Sequence, residues 1–352
     1  MTTSVEQLEK LVGQEYAVDP VSWNKKDLLI YAIGIGAKTS DKQLVYELGT
    51  SLPHLLPRLQ CIQNSALRPV FCCLPNISSR PLPQRYGRVI SAVPDSSTPF
   101  TGADQDVINF AERVGGNNTI KGLPKFDPSR IVHASQTIEV LKPLPLVSGP
   151  GWKLKKRLTS IGENKSGVII ESEFQLVDPD DTPYARLFSA SFNLTGKITG
   201  KRFAYSVASP PQHESIPRDR APDWIVRDRT LPEQALIYRL SGDYNPLHID
   251  PRVGSDAGFG GVILHGLSTF GFAARAVIHA VGGGLPSALR YFGTRFTSPV
   301  VSGDELETSV WEVKKAPDGT SEVAFEVKIL TTGKVVLGGG LARVVKSERP
   351  ML

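Results

Sequence analysis

Apolar residues recur at three- and four-residue spacing from Gly266 to about Val281, where Leu267, Phe270, Ala274, Val277, Ile278 and Val281 predict one long helix. The run Gly282-Gly283-Gly284 stops it. Elsewhere the period changes from helical to two. In the second half the alternation covers Leu306, Thr308 and Val310, then Val323, Phe325, Val327 and Ile329, with a final strand from Val335 to Val345. In the first half, Gly167 to Val177 and Ala185 to Leu194 read the same way. A mostly apolar helix among antiparallel strands is what a sheet wrapped around a central helix requires.

The pattern also repeats along the chain. DLLIYAIGIG at 27–36 matches QALIYRLSGD at 234–243, so that Leu29, Ile30 and Tyr31 align with Leu236, Ile237 and Tyr238. Asn24 is a candidate N-cap for the first helix, and Thr230 with Glu233 forms a capping-box pattern before the second. QTIEVLKPLP at 136–145 and GTRFTSPVV at 293–301 both read as strands closed by a proline step. The expected architecture is therefore α+β, a diverged duplication forming a double hotdog. A first repeat covers 1–208, a second 223–352, and 209–222, rich in proline and charge, reads as a linker rather than a packed element. Residues 74–128 are the least patterned and predict a long excursion over surface or pocket.

Composition narrows the function classes. With 40% hydrophobic and 21% charged residues in 352, the chain has ample material for a large core. A net charge of +5, from 40 basic and 35 acidic residues, is too small and dispersed for a nucleic-acid footprint, but suits a polyanionic small ligand. Cys61, Cys72 and Cys73 form neither a disulfide framework nor a zinc knuckle, which favours a reducing compartment. The N-terminus lacks a secretory pattern, and nowhere do eighteen apolar residues run together, so no membrane span is expected. The terminal Pro350-Met351-Leu352 shares only its leucine with the peroxisomal S-K-L address, leaving peroxisome and cytoplasm as alternatives. His54, His213 and His279 lack ligand-like spacing, and no metal is expected.

The chemistry concentrates in SGDYNPLHIDP at 241–251, followed by AGFGGVILHGLSTFGF at 257–272. Asp243 and His248 are five apart, a spacing that a helix splays by about 140° and a strand sends to opposite faces. Only an irregular turn brings them together, and Gly242, Asn245 and Pro246 favour one. A carboxylate and an imidazole over one water can take its proton and return a proton to a neighbouring carbon, with Asn245 as orienter. The competing reading makes Asp243 a turn cap and His248 a satisfied core histidine. At His265-Gly266 the long helix begins, and its unpaired N–H groups suit a developing enolate oxygen; the competing reading is that Gly266 serves tight packing.

Those two runs, with RFTSPVVSGDEL around Phe296, resemble the hydratase 2 motif of the MaoC-like dehydratases, specifically the two-repeat (3R)-enoyl-CoA hydratase unit of peroxisomal multifunctional enzymes. The resemblance implies a double hotdog whose second repeat carries catalysis while the first widens the acyl pocket. It implies Asp243 and His248 as the acid–base pair, Asn245 as their hydrogen-bonding partner and Gly266 as oxyanion donor. Phe296, His133, Lys165 and His265 become substrate contacts, although Ala134 replaces a family glycine after His133 and Lys165 is displaced within GENKSG at 162–167. In the first repeat Gly36, Lys38 and Asp41 stand where Asp243, Asn245 and His248 stand in the second, so one site per chain is expected. The partner would be an acyl-CoA thioester, with no separate cofactor, and a homodimer is compatible. Three rivals remain: a biosynthetic dehydratase running the reverse reaction, a hotdog thioesterase, and a non-catalytic acyl binder.

Overall fold

The computed structural model describes residues 4–45, 120–124, 126, 130–211, 215–316 and 319–347. The unpatterned stretch 74–128, the three cysteines, His54, His213 and the C-terminal tripeptide lie wholly or almost wholly outside them. The strands are β1 (Glu15–Pro20), β2 (Ile131–Val140), β3 (Lys153–Glu163), β4 (Gly167–Val177), β5 (Pro183–Leu194), β6 (Phe203–Ser206), β7 (Trp224–Arg229), β8 (Leu289–Phe296), β9 (Glu305–Lys315), β10 (Thr320–Ile329) and β11 (Val335–Val345). The helices are α1 (Val5–Leu11), α2 (Lys25–Gly34), α3 (Lys42–Val45), α4 (Gln234–Arg239), α5 (Pro251–Asp256) and α6 (Gly266–Gly282).

One antiparallel sheet runs in the order β1-β3-β4-β5-β2-β8-β11-β10-β9-β7, with β6 paired to the edge of β3. From the central pair β2–β8, the chain reads the same in both directions: β5 and β11 flank it, then β4 and β10, β3 and β9, β1 and β7. The duplication seen in the sequence is thus a pseudo-twofold, and β2 meets β8 antiparallel with Thr137 opposite Gly293. The matched tyrosines Tyr31 and Tyr238 face each other near the same axis, ring centroids 6.1 Å apart. This is the double hotdog.

Helix α6 lies at the centre. All its residues except Gly266 and His279 are buried, which explains why it is apolar nearly all round rather than on one stripe. Gly283 ends it in the left-handed conformation (φ 60°). Its few polar side chains bind the first half: Ser268 donates to the Gly34 carbonyl at 2.8 Å and Arg275 to the Ile35 carbonyl at 3.3 Å. Gln234 adds a bond to Gly34 at 2.9 Å. The carbonyls left open at the end of α2 are therefore capped by the second half, which ties the halves together.

Several expectations need correction. Asn24 caps α2 in a full capping box with Asp27, but the Thr230–Glu233 box does not form. Thr230 instead donates to the Asp304 carbonyl (3.0 Å) and accepts from the Gly303 N–H (2.8 Å), because the chain is still held beside β9 at that point. Strand β2 starts five residues before Gln136. Within the expected 209–222 linker, residues 215–222 are not free either. They strap the outer face of the sheet, where Arg218 pairs with Glu326 at 2.8 Å and Trp311 donates to the Arg220 carbonyl at 3.3 Å. A cleft of about 440 Å³ lies between strap and sheet, lined by Ser215, Arg218, Arg295 and Glu326. Arg295 alternates with the inward-facing Phe296, so this cleft is on the far side of the sheet from the chemistry described next. Among the described residues no helix is long and apolar enough to cross a membrane.

Candidate active site

The SGDYNPLH segment follows α4 as an irregular turn. Gly242 adopts φ 111°, a left-handed value that side chains resist, and this releases the chain from α4. The Asp243 carboxylate accepts the Asn245 backbone N–H at 3.2 Å. Asn245 takes the extended geometry that a following proline imposes (φ −53°, ψ 124°), and its Oδ1 caps the single turn Pro246–His248 by accepting the Leu247 N–H at 3.0 Å. Orientation by Asn245 thus runs through its backbone and through this cap. Asp250 then caps α5 through the Arg252 N–H at 2.9 Å.

This turn does what regular structure could not. Ligating atoms of Asp243, His248 and His265 all lie within 4.8 Å of one another. His248 Nδ1 lies 2.8 Å from the Ile263 carbonyl, and a carbonyl only accepts, so Nδ1 carries the proton. Nε2 is left as the basic nitrogen. Burial pushes the Asp243 carboxyl above its ordinary value and the His248 imidazole below its own, while their mutual attraction opposes both shifts. The two shifts run toward each other.

His265 is 1% exposed and lies face to face with His248, ring centroids 3.6 Å apart. Its Nε2 donates to the Asp243 backbone carbonyl at 3.1 Å. The three side chains have the composition of a metal triad. In stacked rings, however, the lone pairs run side by side instead of converging on a point about 2.1 Å from each nitrogen. The geometry favours proton transfer.

Gly266 opens α6 with no side-chain cap; the Ser268 N–H bonds the His265 carbonyl at 3.0 Å, and the N–H groups of Gly266 and Leu267 ahead of it have no acceptor within the helix. A Cβ on Gly266 would stand 3.2 Å from the Phe296 ring. Phe296 in turn packs on His133, ring centroids 4.6 Å apart, and His133 lies 3.0 Å from the Ser189 hydroxyl on β5. Burial lowers His133 to about 4, so its ring is neutral. Six of the sequence candidates, with Asn245, therefore form one connected group on the concave side of the sheet. Lys165 does not join it: it is exposed in the β3–β4 turn, where its carbonyl lies 3.4 Å from Lys197 Nζ.

Two further residues stand beside the site. Arg239 donates to the Asn245 carbonyl at 3.2 Å, and its guanidinium lies over the half-exposed ring of Tyr244, 5.6 Å from the centroid. No spacing in the sequence marks Arg239, since it comes from the helix before the turn. In the first repeat the corresponding place is filled by ions. Asp41, at the His248 position, binds Arg275 at 3.2 Å and His279 at 3.0 Å, and Lys38 pairs with Asp228 at 3.4 Å.

A double hotdog with an aspartate and a histidine converging beside an uncapped helix start defines the hydratase–dehydratase class. The chain belongs to the MaoC-like family and is a hydro-lyase: residues 211–334 match the MaoC like domain, and full-length relatives carry the resemblance through both repeats. A probable dehydratase, NIT22, of Ajellomyces capsulatus is 31% identical over 93% of this chain and 80% of that protein. The peroxisomal enoyl-CoA hydratase 2 of Arabidopsis thaliana is 30% identical over 90% and 89%. The peroxisomal multifunctional enzyme type 2 of Mus musculus is 30% identical over 96% of this chain, which spans only 38% of that enzyme. Among solved structures, a MaoC-like dehydratase from Phytophthora capsici matches with a TM-score of 0.70 and 27% identity, over 98% of this chain and 99% of that one.

Proposed function

We propose that this protein adds water to a trans-2-enoyl-CoA thioester to give the (3R)-3-hydroxyacyl-CoA, with no cofactor beyond the substrate. The reading rests on one observation above all: Asp243 and His248 converge within 4.8 Å beside the open start of α6. The pair holds a water, and one member takes its proton as the oxygen bonds to C3. A proton then returns from the pair to C2. The electron density displaced onto the thioester oxygen is met by the Gly266 N–H, a donor of the kind whose loss costs about 2.7–4 kcal/mol of barrier. Residues 223–352 supply the chemistry, while 1–208, with His133 beside Phe296, shape the acyl pocket. The relatives named peroxisomal favour that compartment for this protein too.

The reverse reaction, dehydration of a 3-hydroxyacyl thioester in a biosynthetic setting, passes through the same transition state. The likeness to the Ajellomyces dehydratase favours keeping this second reading. Turnover on enoyl-CoAs of increasing chain length, by the wild-type protein and by Asp243→Asn, tests the assignment. Hydration by the wild type that vanishes in Asp243→Asn supports it. Thioester hydrolysis without hydration, or acyl-CoA binding without turnover, contradicts it.

A further inference from the structure

We infer that His265 is a positioning residue, acting through the backbone of Asp243 and the ring of His248 rather than through contact with substrate. This deepens the proposed hydro-lyase reading and rests on it. Three observations carry the inference. His265 is fully buried, at 1% exposure, with one ring face against His248 at 3.6 Å and with Tyr238 at 4.8 Å. It therefore offers no surface to a ligand, unlike Phe296 and Gly266. Its Nε2–H donates to the Asp243 carbonyl at 3.1 Å, bridging the catalytic turn to the residue that begins α6. Its Nδ1 is buried and accepts no hydrogen bond among the described residues.

The tautomer follows from the bond. Because Nε2 holds the proton, Nδ1 is a bare lone pair, and a second proton there would put a buried charge against His248. The groups facing this ring are His248, Asp243, Arg239 and Tyr238, and both burial and His248 hold His265 well below the ordinary imidazole value. His265 thus stays neutral when His248 takes up a proton. A neutral aromatic face stacked on an imidazolium attracts it, whereas a charged one would repel it. The same ring sets the distance between Asp243 and His248, because it is bonded to the one and stacked on the other.

Two substitutions separate the parts. His265→Phe keeps a ring and removes the N–H, while His265→Gln keeps an N–H at similar reach and removes the ring. Three quantities are read for each: kcat and KM on a trans-2-enoyl-CoA, the pH–rate profile, and calorimetric affinity for butyryl-CoA, which binds without reacting. His265→Phe is expected to lower kcat by on the order of 10²-fold with an altered acid limb and unchanged butyryl-CoA affinity, as a small misplacement of reacting groups does. His265→Gln is expected to recover most of that loss. Wild-type kcat in His265→Phe overturns the inference, as does butyryl-CoA affinity that falls in step with kcat/KM, which would mark a substrate contact. If His265→Gln is as impaired as His265→Phe, the route through the Asp243 carbonyl is overturned. A wild-type protein that neither binds butyryl-CoA nor hydrates an enoyl-CoA would instead remove the hydro-lyase reading itself.

Discussion

At the scale of single residues, function and stability pull against each other at Asp243. Its carboxyl is raised by burial, so the folded protein holds the charged form at a cost that the unfolded chain does not bear. Asp243→Asn is expected to abolish hydration, with a loss of 10³-fold or more, on the order of 4 kcal/mol of barrier, while a thermal melt shows stability unchanged or raised. A large fall in melting temperature would mean that Asp243 is a structural cap after all. The coupled pair also sets the pH dependence. Protonation of His248 or Asp243 removes the base, and their shifts run toward each other, so activity should fall on the acid side between the ordinary carboxylate and imidazole ranges. Asp243 and His248 were legible in the sequence because Gly242, Asn245 and Pro246 announce a turn. The burial of His265 was not, since nothing about a histidine before a glycine says which neighbours will cover its ring.

At the scale of elements, the start of α6 carries the most. Its N–H groups are useful only while the space in front of Gly266 is open, and a Cβ there already crowds Phe296. Gly266→Val is expected to lower kcat by 10²-fold or more with the fold retained, as shown by an unchanged circular dichroism spectrum. Full activity in that variant would place the oxyanion donor elsewhere. Helix α6 and strands β4 and β11 were readable because apolar residues dominate them and are mostly buried. The strands β1, β3, β6 and β7 were missed, and they are the ones at or near the sheet edges, where charge interrupts alternation: β3 carries Lys153, Lys155, Lys156 and Arg157 in five residues. The capping box before α4 misled because local sequence cannot show that Thr230 is already bonded to Asp304.

At the scale of the whole molecule, two halves that share one sheet differ at corresponding places. The second holds the Asp243–His248 turn, and in the first the buried Asp41–Arg275–Asp228 ions stand in its place and hold α6 against the end of α2. Arg275→Met removes the shared partner of two buried carboxylates, leaving Asp41 with His279 and Asp228 with Lys38, and should lower stability in a denaturant titration by less than the roughly 3–5 kcal/mol of a fully orphaned buried charge. Acid should weaken the fold in two stages. His133, lowered to about 4 from an ordinary 6.5, binds its proton more readily unfolded, so stability falls as pH drops from 6.5 towards 4. That shift corresponds to on the order of 3 kcal/mol. Asp41, held at about 2, adds a loss as pH falls below 4. His133→Gln should reduce the first stage, which the buried His248 and His265 share, and leave the second. The duplication was visible in the sequence through the Leu-Ile-Tyr echo, but the strap across the outer face was not, because proline and charge read as linker until Glu326 and Trp311 are seen to hold them.

The central claim is that one water is added at C3 by the Asp243–His248 pair on one face of the double bond. Incubation of a trans-2-enoyl-CoA with the protein in ¹⁸O-water, followed by chiral separation and mass analysis of the 3-hydroxyacyl product, tests it directly. A single (3R) product carrying ¹⁸O at C3 is expected, formed by the wild type and lost in both Asp243→Asn and His248→Gln. An (S) product, a racemic one, or hydration that survives both substitutions would contradict it.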